Sequence, residues 1–306
     1  MPPTVDASER ARRLAELAAA VDARGLAERV RKAALLPAED EAGFLHHFLA
    51  LRDFDVGGAL AMLVANLEWR ASLGLDALAD MSLAQVTGVD ERVMAHWYPA
   101  WHDGLDRAGR PVGWAKLGAF DVAAVSKTVP LERLRMFHLW ERERMCRRLR
   151  KASALRGERI DRMTLVLDLK HWGTRLMSRA ALAFAEELMG LDTELFAQRV
   201  GTVYVINAPF MFSACWALLT PFMGKDTLDK VKLFSADALW RPALLAAIEP
   251  SEMPVEYGGT HHVAMRDLGT PAPPPNVGVL VAAARVEPDV GFIAAARCGC
   301  MGAGRQ

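Results

Sequence analysis

Asp168 and His171 stand three residues apart where the apolar stretch Met163–Leu169 ends, and they are residue types that make a general acid–base pair. A strand-end carboxylate that pairs with Lys170 or caps a turn calls for the same residue, and this is the simpler assignment. His46-His47 and His261-His262 are adjacent pairs. Neighbours on a helix or strand point in different directions, so neither pair makes a metal clamp. Cys298 and Cys300 lack the His partners of a structural zinc site. There is no G-x-G-x-x-G, Walker A, G-x-S-x-G or H-E-x-x-H pattern. An enzyme working through Asp168 and His171 on a hydrophobic substrate would lack a nucleophile motif and an oxyanion signature. No catalytic residue, cofactor or metal is therefore expected. Arg142, Arg144, Arg147, Arg148, Arg150 and Lys151 interleave only with Glu141 and Glu143. Such a run is either a solvated helix face, the default, or a patch that meets anionic headgroups.

The elements that must carry these residues change character along the chain. Ser8–Leu36 is helix-forming, with Leu14, Leu17 and Val21 on one side, and Pro37 breaks it. A second helix holds Phe44, Leu45, Phe48 and Leu49. A third, capped by Asp55, has Leu60, Leu63, Val64 and Leu67 at helical spacing. Beyond it Pro111–Leu117, Met163–Leu169, Gly201–Ile206 and Val231–Phe234 read as strands, separated by helices over Leu131–Lys151 and Arg175–Met189. Strands alternating with helices predict a mostly parallel sheet of βαβ units. The fourth apolar passage, Val203 to Phe212, is a buried strand with an Asn207-Ala208-Pro209 stop. Asn207 is expected to cap the next helix and Pro209 to sit in its first turn. That helix carries Trp216, Leu218, Leu219, Phe222 and Met223 and is apolar on too many sides for a surface helix with one buried stripe. It lies wholly in the core, or its outer face meets something greasy that is not always present.

With 37 basic and 37 acidic residues in 306, no global field points to nucleic acid. No apolar run reaches the ~20 residues of a transmembrane helix, and Met1–Glu9 lacks the apolar stretch of a secretory signal, so a cytoplasmic protein is expected. Cys146 and Cys215 fall in helices as small hydrophobes, and no disulfide framework is implied.

An ordered set of stretches resembles the CRAL-TRIO lipid-binding family, best known for phosphatidylinositol/phosphatidylcholine transfer proteins. They are Phe48–Val56 with Trp69-Arg70, Gly109-Arg110-Pro111-Val112, Leu167-Asp168-Leu169-Lys170, Tyr204–Phe210, Pro221–Phe234 and Pro254–Gly259. The resemblance implies an N-terminal helical unit over residues 1–80 and a lipid-binding α/β domain over 85–262, and the run Pro271-Ala272-Pro273-Pro274-Pro275 marks a weakly ordered tail over 263–306. Gly109-Arg110-Pro111 is expected to lead into an edge strand, where Pro is tolerated. A diacyl lipid exposes on the order of 30 methylenes, each worth roughly 0.8 kcal/mol when kept from water. A carrier must therefore hold the chains in an apolar cavity floored by the sheet and open it at a membrane. The resemblance assigns that gate to Phe210, Phe212, Trp216, Leu219, Phe222 and Met223, with Gly224 as a hinge. It places the phosphatidylinositol headgroup against Arg52, Gln198, Arg199, Asp226, Thr227 and Lys230, Gln198 standing where the family has an acid. Where phosphatidylcholine-binding members have polar groups this chain has His102, Gly113, Met163 and Leu165, so a second ligand is expected to be less polar than phosphatidylcholine. The expected partners are phosphatidylinositol and a transiently touched membrane surface, with the protein a monomer. The alternative is an adaptor module that uses the same fold without carrying lipid.

Overall fold

The structure is a computed structural model that describes residues 6–33, 41–78, 80–173, 176, 178–195, 199–220 and 228–262. Contacts divide it into two units: one built on residues up to Ala77 together with Leu149–Asp161, the other on Leu78–Arg148 and the described chain from Arg162 onward.

The first unit packs α1 (Ala7–Ala23), α2 (Ala27–Ala33), α3 (Glu41–Ala50) and α4 (Val56–Ser72). Their shared core holds Leu17, Val21, Phe44, Phe48, Leu63 and Leu67, apolar residues recurring at helical spacing along α1, α3 and α4. Asp55 caps α4 as expected: its carboxylate accepts from the amides of Gly57 (3.2 Å) and Gly58 (2.9 Å), two donors that a helix start leaves without intrahelical partners. The expected first helix, Ser8–Leu36, is two helices instead. α1 ends at Arg24, and the amide of Leu26 bonds back to the Val21 carbonyl (3.0 Å), turning the chain into α2.

After α5 (Leu75–Leu78), α6 (Leu83–Thr87) and α7 (Glu91–Trp97) comes, among the described residues, a sheet of five strands in sequence order. These are β1 (Ala100–Leu105), β2 (Pro111–Ala115), β3 (Met163–Asp168), β4 (Val200–Ile206) and β5 (Val231–Leu233). β1 runs antiparallel to β2; β2, β3, β4 and β5 are parallel. The helices are α8 (Val122–Thr128), α9 (Leu131–Arg156), α10 (Arg179–Leu195), α11 (Phe212–Leu219) and α12 (Asp237–Ala247).

The α/β class and mostly parallel sheet agree with the sequence reading, with local differences. β1 was not foreseen, because Ala-Trp-His-Asp-Gly-Leu has no strand-like alternation and is extended only through its pairing with β2. β2 therefore lies between β1 and β3 and is not an edge strand. Pro111 is tolerated because it is the first residue of the strand, where no central ladder bond is lost. The helix expected over Arg175–Met189 runs from Arg179 to Leu195.

Candidate functional site

Register and the two-residue period assign every sheet residue to one of two faces. Trp101, Val112, Trp114, Val166, Tyr204 and Ile206 share one face and pack with Trp240 and Leu244 of α12 and with Tyr257. Rings stack there: Trp114 lies 5.0 Å from Tyr257 and 6.2 Å from Trp101. The opposite face carries His102, Gly113, Leu165, Leu167, Val203 and Val205. β3 is the middle strand, yet Leu165 and Leu167 keep accessible surface while Val166 between them is 1% exposed. One face is sealed; on the other, Leu165 and Leu167 stay partly exposed where they pack against the cluster of Val203, Val205, Phe212 and Cys215.

Gly113 lets three side chains close over that second face. A Cβ there would lie 2.7 Å from Met163 Cε, 2.8 Å from Leu165 Cδ2 and 3.2 Å from His102 Cδ2. His102, Gly113, Met163 and Leu165 thus converge on one spot and leave no room for a side chain at Gly113. Burial, reinforced by Arg148, Arg142 and Arg144, pushes the His102 imidazole down to about 3, so it is neutral at physiological pH.

Beside β1 a cavity of about 480 Å³ opens between α7, β1 and α9. Met94 and Tyr98, His102 and Asp103, and Trp140, Glu141, Arg144 and Arg148 line it. Burial pushes the Glu141 carboxyl up to about 7, against the opposing pull of Arg142 and of its hydrogen bond with Tyr98. Burial likewise raises the Tyr98 phenol, with Glu141 adding to it. Both side chains keep accessible surface where they line the cavity. Behind them Asp192 of α10 is clamped by α9. It accepts from Arg142 Nε (2.7 Å) and Nη2 (3.0 Å) and lies 2.8 Å from His138 Nε2. Against a burial that would raise it, Arg142 and His138 hold the Asp192 carboxyl well below the usual range. The basic run of α9 is therefore not a uniform solvated face: Arg142 is an ion-pair partner, Arg147 binds Asp80 (2.5 Å), and Arg144 and Arg148 border the cavity. The interleaved Glu141 was the sequence signal for this, since an acid within a basic helical run has reason to face elsewhere.

Asp168 organises the ends of the strands. Its carboxylate accepts from the Lys170 amide (2.8 Å), Asn207 Nδ2 (2.7 Å) and the Tyr257 hydroxyl (3.2 Å). His171 is not among its partners; it sits at a turn with φ 71°. The structural assignment of Asp168 holds and the acid–base pair is not formed. Asn207 does not take the helix-capping role expected from the sequence. It adopts φ 55°, a left-handed conformation that Asn tolerates better than most residues, and its Oδ1 accepts from Trp240 Nε1 (2.9 Å). α11 starts only at Phe212, with Pro209 before it and no side-chain cap. A four-residue network of Asp168, Asn207, Trp240 and Tyr257 thereby anchors the corner from which α11 departs. Nearby Gly258, at φ 95°, makes a turn that other residues would strain to adopt.

Of the gate residues, Phe210 is 96% exposed, whereas Phe212 is buried against Trp172 (5.2 Å) and Trp216 (6.0 Å). Phe212 and Cys215 cover Val203 and Val205. Leu219 ends α11. Phe222, Met223 and Gly224 lie outside the described residues, as do Gln198, Asp226 and Thr227. Arg199 is buried just before β4, and its carbonyl accepts from the Met163 amide (2.8 Å). Lys230 stands just before β5, its carbonyl accepting from the Val203 amide (3.0 Å). Both precede parallel neighbouring strands, so they share the starting edge of the sheet, opposite the edge from which Phe210 and α11 leave. Arg52 is exposed in the turn between α3 and α4 of the helical unit. Among the described residues no helix is long and apolar enough to cross a membrane.

Residues 96–259 match the family model described as CRAL/TRIO domain. The chain is 30% identical over 227 residues to the SEC14 cytosolic factor of Eremothecium gossypii, covering 74% of this chain and 71% of that relative. It is also 30% identical over 253 residues to the SEC14 cytosolic factor of Candida glabrata, covering 82% of this chain and 78% of the other. A 28% identical match to the phosphatidylinositol/phosphatidylcholine transfer protein SFH7 of Arabidopsis thaliana covers 74% of this chain and spans 40% of the plant protein's length. The crystal structure of Sfh5 superposes with a TM-score of 0.62 at 14% identity, over 91% of this chain and 97% of that one, a likeness of fold. The family model takes in β1 through β5 together with the Asp168–Asn207–Trp240–Tyr257 corner. This chain belongs to the CRAL/TRIO family.

Proposed function

We propose that this protein is a lipid carrier that shelters a phospholipid with an inositol headgroup, exchanges it at membrane surfaces through a gate beginning at Phe210, and catalyses no reaction. The observation that carries the reading is the asymmetry of the sheet: Leu165 and Leu167 stay accessible in the middle strand while Val166 is sealed. A central strand open on one apolar face suits a guest that supplies the missing contacts. The names and coverage of the relatives agree with it. Phe210, almost fully exposed at the corner braced by Asp168 and Asn207, is the residue best placed to enter a bilayer surface. For the headgroup, Arg199 and Lys230 supply cations along one sheet edge, and Thr227 adds a hydroxyl three residues before Lys230 to share one phosphate. Gln198 and Asp226 complete the assigned set within this unit.

Purified protein should yield co-extracted phosphatidylinositol by mass spectrometry and should move it between vesicles. The double substitution Thr227→Ala, Lys230→Ala should cut that transfer at least tenfold. Transfer unchanged by it removes the headgroup assignment. Absence of any extracted lipid together with absence of transfer removes the carrier, in favour of an adaptor role.

A further inference from the structure

The turn that follows β3 is held firmly. Its Lys170 amide donates to Asp168, whose carboxylate also receives Asn207 Nδ2 from the end of β4, and the Leu169 amide donates to the Ile206 carbonyl (2.9 Å). On its other side the Lys170 carbonyl lies against Gly118, so closely that no Cβ would fit there. His171 is left at φ 71°, a left-handed conformation that costs free energy in a residue with a side chain and persists only where the surroundings impose it. The Trp172 amide then bonds back to the Leu169 carbonyl (2.9 Å). Trp172 is thus presented from a braced, strained turn.

The half-buried Trp172 ring packs on the cluster of Leu169, Val203, Val205, Ala208, Phe212 and Cys215 and meets Phe212 edge-on at 5.2 Å. Its Nε1 is buried and has no hydrogen-bond partner among the described residues. Buried polar groups are nearly always bonded, and an unbonded N–H disfavours whichever state buries it. The other side of the contact is lightly attached. α11 begins at Phe212 with no side-chain cap. Phe210, Met211, Ser213 and Ala214 are exposed, so Phe212 is the first residue of the helix to be buried. The ring that grips the start of α11 therefore carries a group that water would satisfy better.

We infer that Trp172 is a latch for α11: its ring holds Phe212 while the helix covers Val203 and Val205, and its unbonded N–H, hydrated once the helix lifts, keeps that hold weak enough to release. The latch rests on the reading of α11 as part of the gate, and it names the residue that sets how readily the gate opens.

The test is amide hydrogen exchange of the full chain, read by mass spectrometry on peptides from α11 with peptides from α12 as the reference. Trp172→Ala removes the hold, and α11 should exchange about tenfold faster while α12 stays within about twofold of native. Benzothienylalanine in place of Trp172, introduced by nonsense suppression, keeps the shape of the indole and replaces its N–H with sulfur. With the hold intact and no donor to hydrate, α11 should exchange about threefold or more slower than native, and phosphatidylinositol transfer between vesicles should slow with it. Phe212→Leu should speed α11 exchange in the native background and change it little beside Trp172→Ala, because both act through one contact. Exchange of α11 in the sulfur analogue equal to or faster than native would mean that Trp172 is packing alone, and overturns the latch. Acceleration of α12 in step with α11 in Trp172→Ala overturns it too, as a general loosening. Exchange in the expected order with transfer the same in every variant keeps the latch and removes α11 from the lipid-moving step, so the two readings are told apart.

Discussion

The two faces of the sheet are built from alternate residues of the same strands and still meet different surroundings. On one, Trp101, Trp114, Tyr204, Trp240 and Tyr257 fill the space between sheet and α12 with stacked and edge-on rings. On the other, Leu165 and Leu167 stay partly exposed beside the cluster of Val203, Val205, Phe212 and Cys215, and several charged and polar groups gather beside β1. The first face is a core in the ordinary sense, close-packed so that removal of any ring leaves a void. In the proposed function, stability and lipid carriage fall on opposite sides of a single layer of backbone.

Substitutions should separate the faces, and the largest effect belongs to the filled one. Trp114→Ala should cost about 4 kcal/mol in denaturant unfolding, because its stack with Tyr257 and Trp101 cannot collapse to fill the cavity left behind. A loss below about 1 kcal/mol would mean that this face is not packed as described. Next come two neighbours on β3. Val166→Ala should cost about 2 kcal/mol and leave lipid transfer alone, whereas Leu165→Ala should cost about 1 kcal/mol or less and slow transfer. Equal costs for the pair would erase the distinction between the faces.

Glu141 sharpens the comparison through pH. Its carboxyl is raised from the ordinary 4.5 to about 7, so the folded protein holds a proton that the unfolded chain releases. The contribution to stability is fully present below pH 4.5 and is lost as pH rises through 7. Glu141→Gln, neutral at every pH, should melt at a higher temperature than native protein at pH 8 and at nearly the same temperature near pH 5. An equal difference between the two proteins at both pH values would place Glu141 in a solvated position. The smallest expected change in stability is at Phe210, where substitution by Ala should shift unfolding by less than about 0.5 kcal/mol because the ring is exposed. Vesicle transfer is the readout that should fall, and an unchanged rate would remove Phe210 from the gate.

Much of this was legible in residue types. The Asp55 cap, the apolar faces of α3 and α4 and the strand cores of β3, β4 and β5 follow from local rules of capping and periodicity. The order of motifs pointed to the family that the model of residues 96–259 matches. β1 was missed because its extended form depends on β2, across a turn in which Asp106 accepts from the amides of Ala108 and Arg110 (both 2.9 Å). Asn207 was misread because capping residues and left-handed corner residues draw on the same short polar side chains; its true partners, Asp168 and Trp240, are 39 and 33 residues away in sequence. The cavity beside α9 was missed for a related reason: a helix rich in Arg looks solvated until it is known which turns face another element.

Composition, helical and strand periods and the order of motifs were enough to determine the α/β class and the family, because propensity, capping and alternation act within a few residues. Only the tertiary structure decided which sheet face is filled, that Asp168 braces a corner where an acid–base pair was conceivable, and that Arg144 and Arg148 border a hollow. Each of these depends on side chains brought together from distant parts of the chain, whose burial and charge are properties of the assembled neighbourhood.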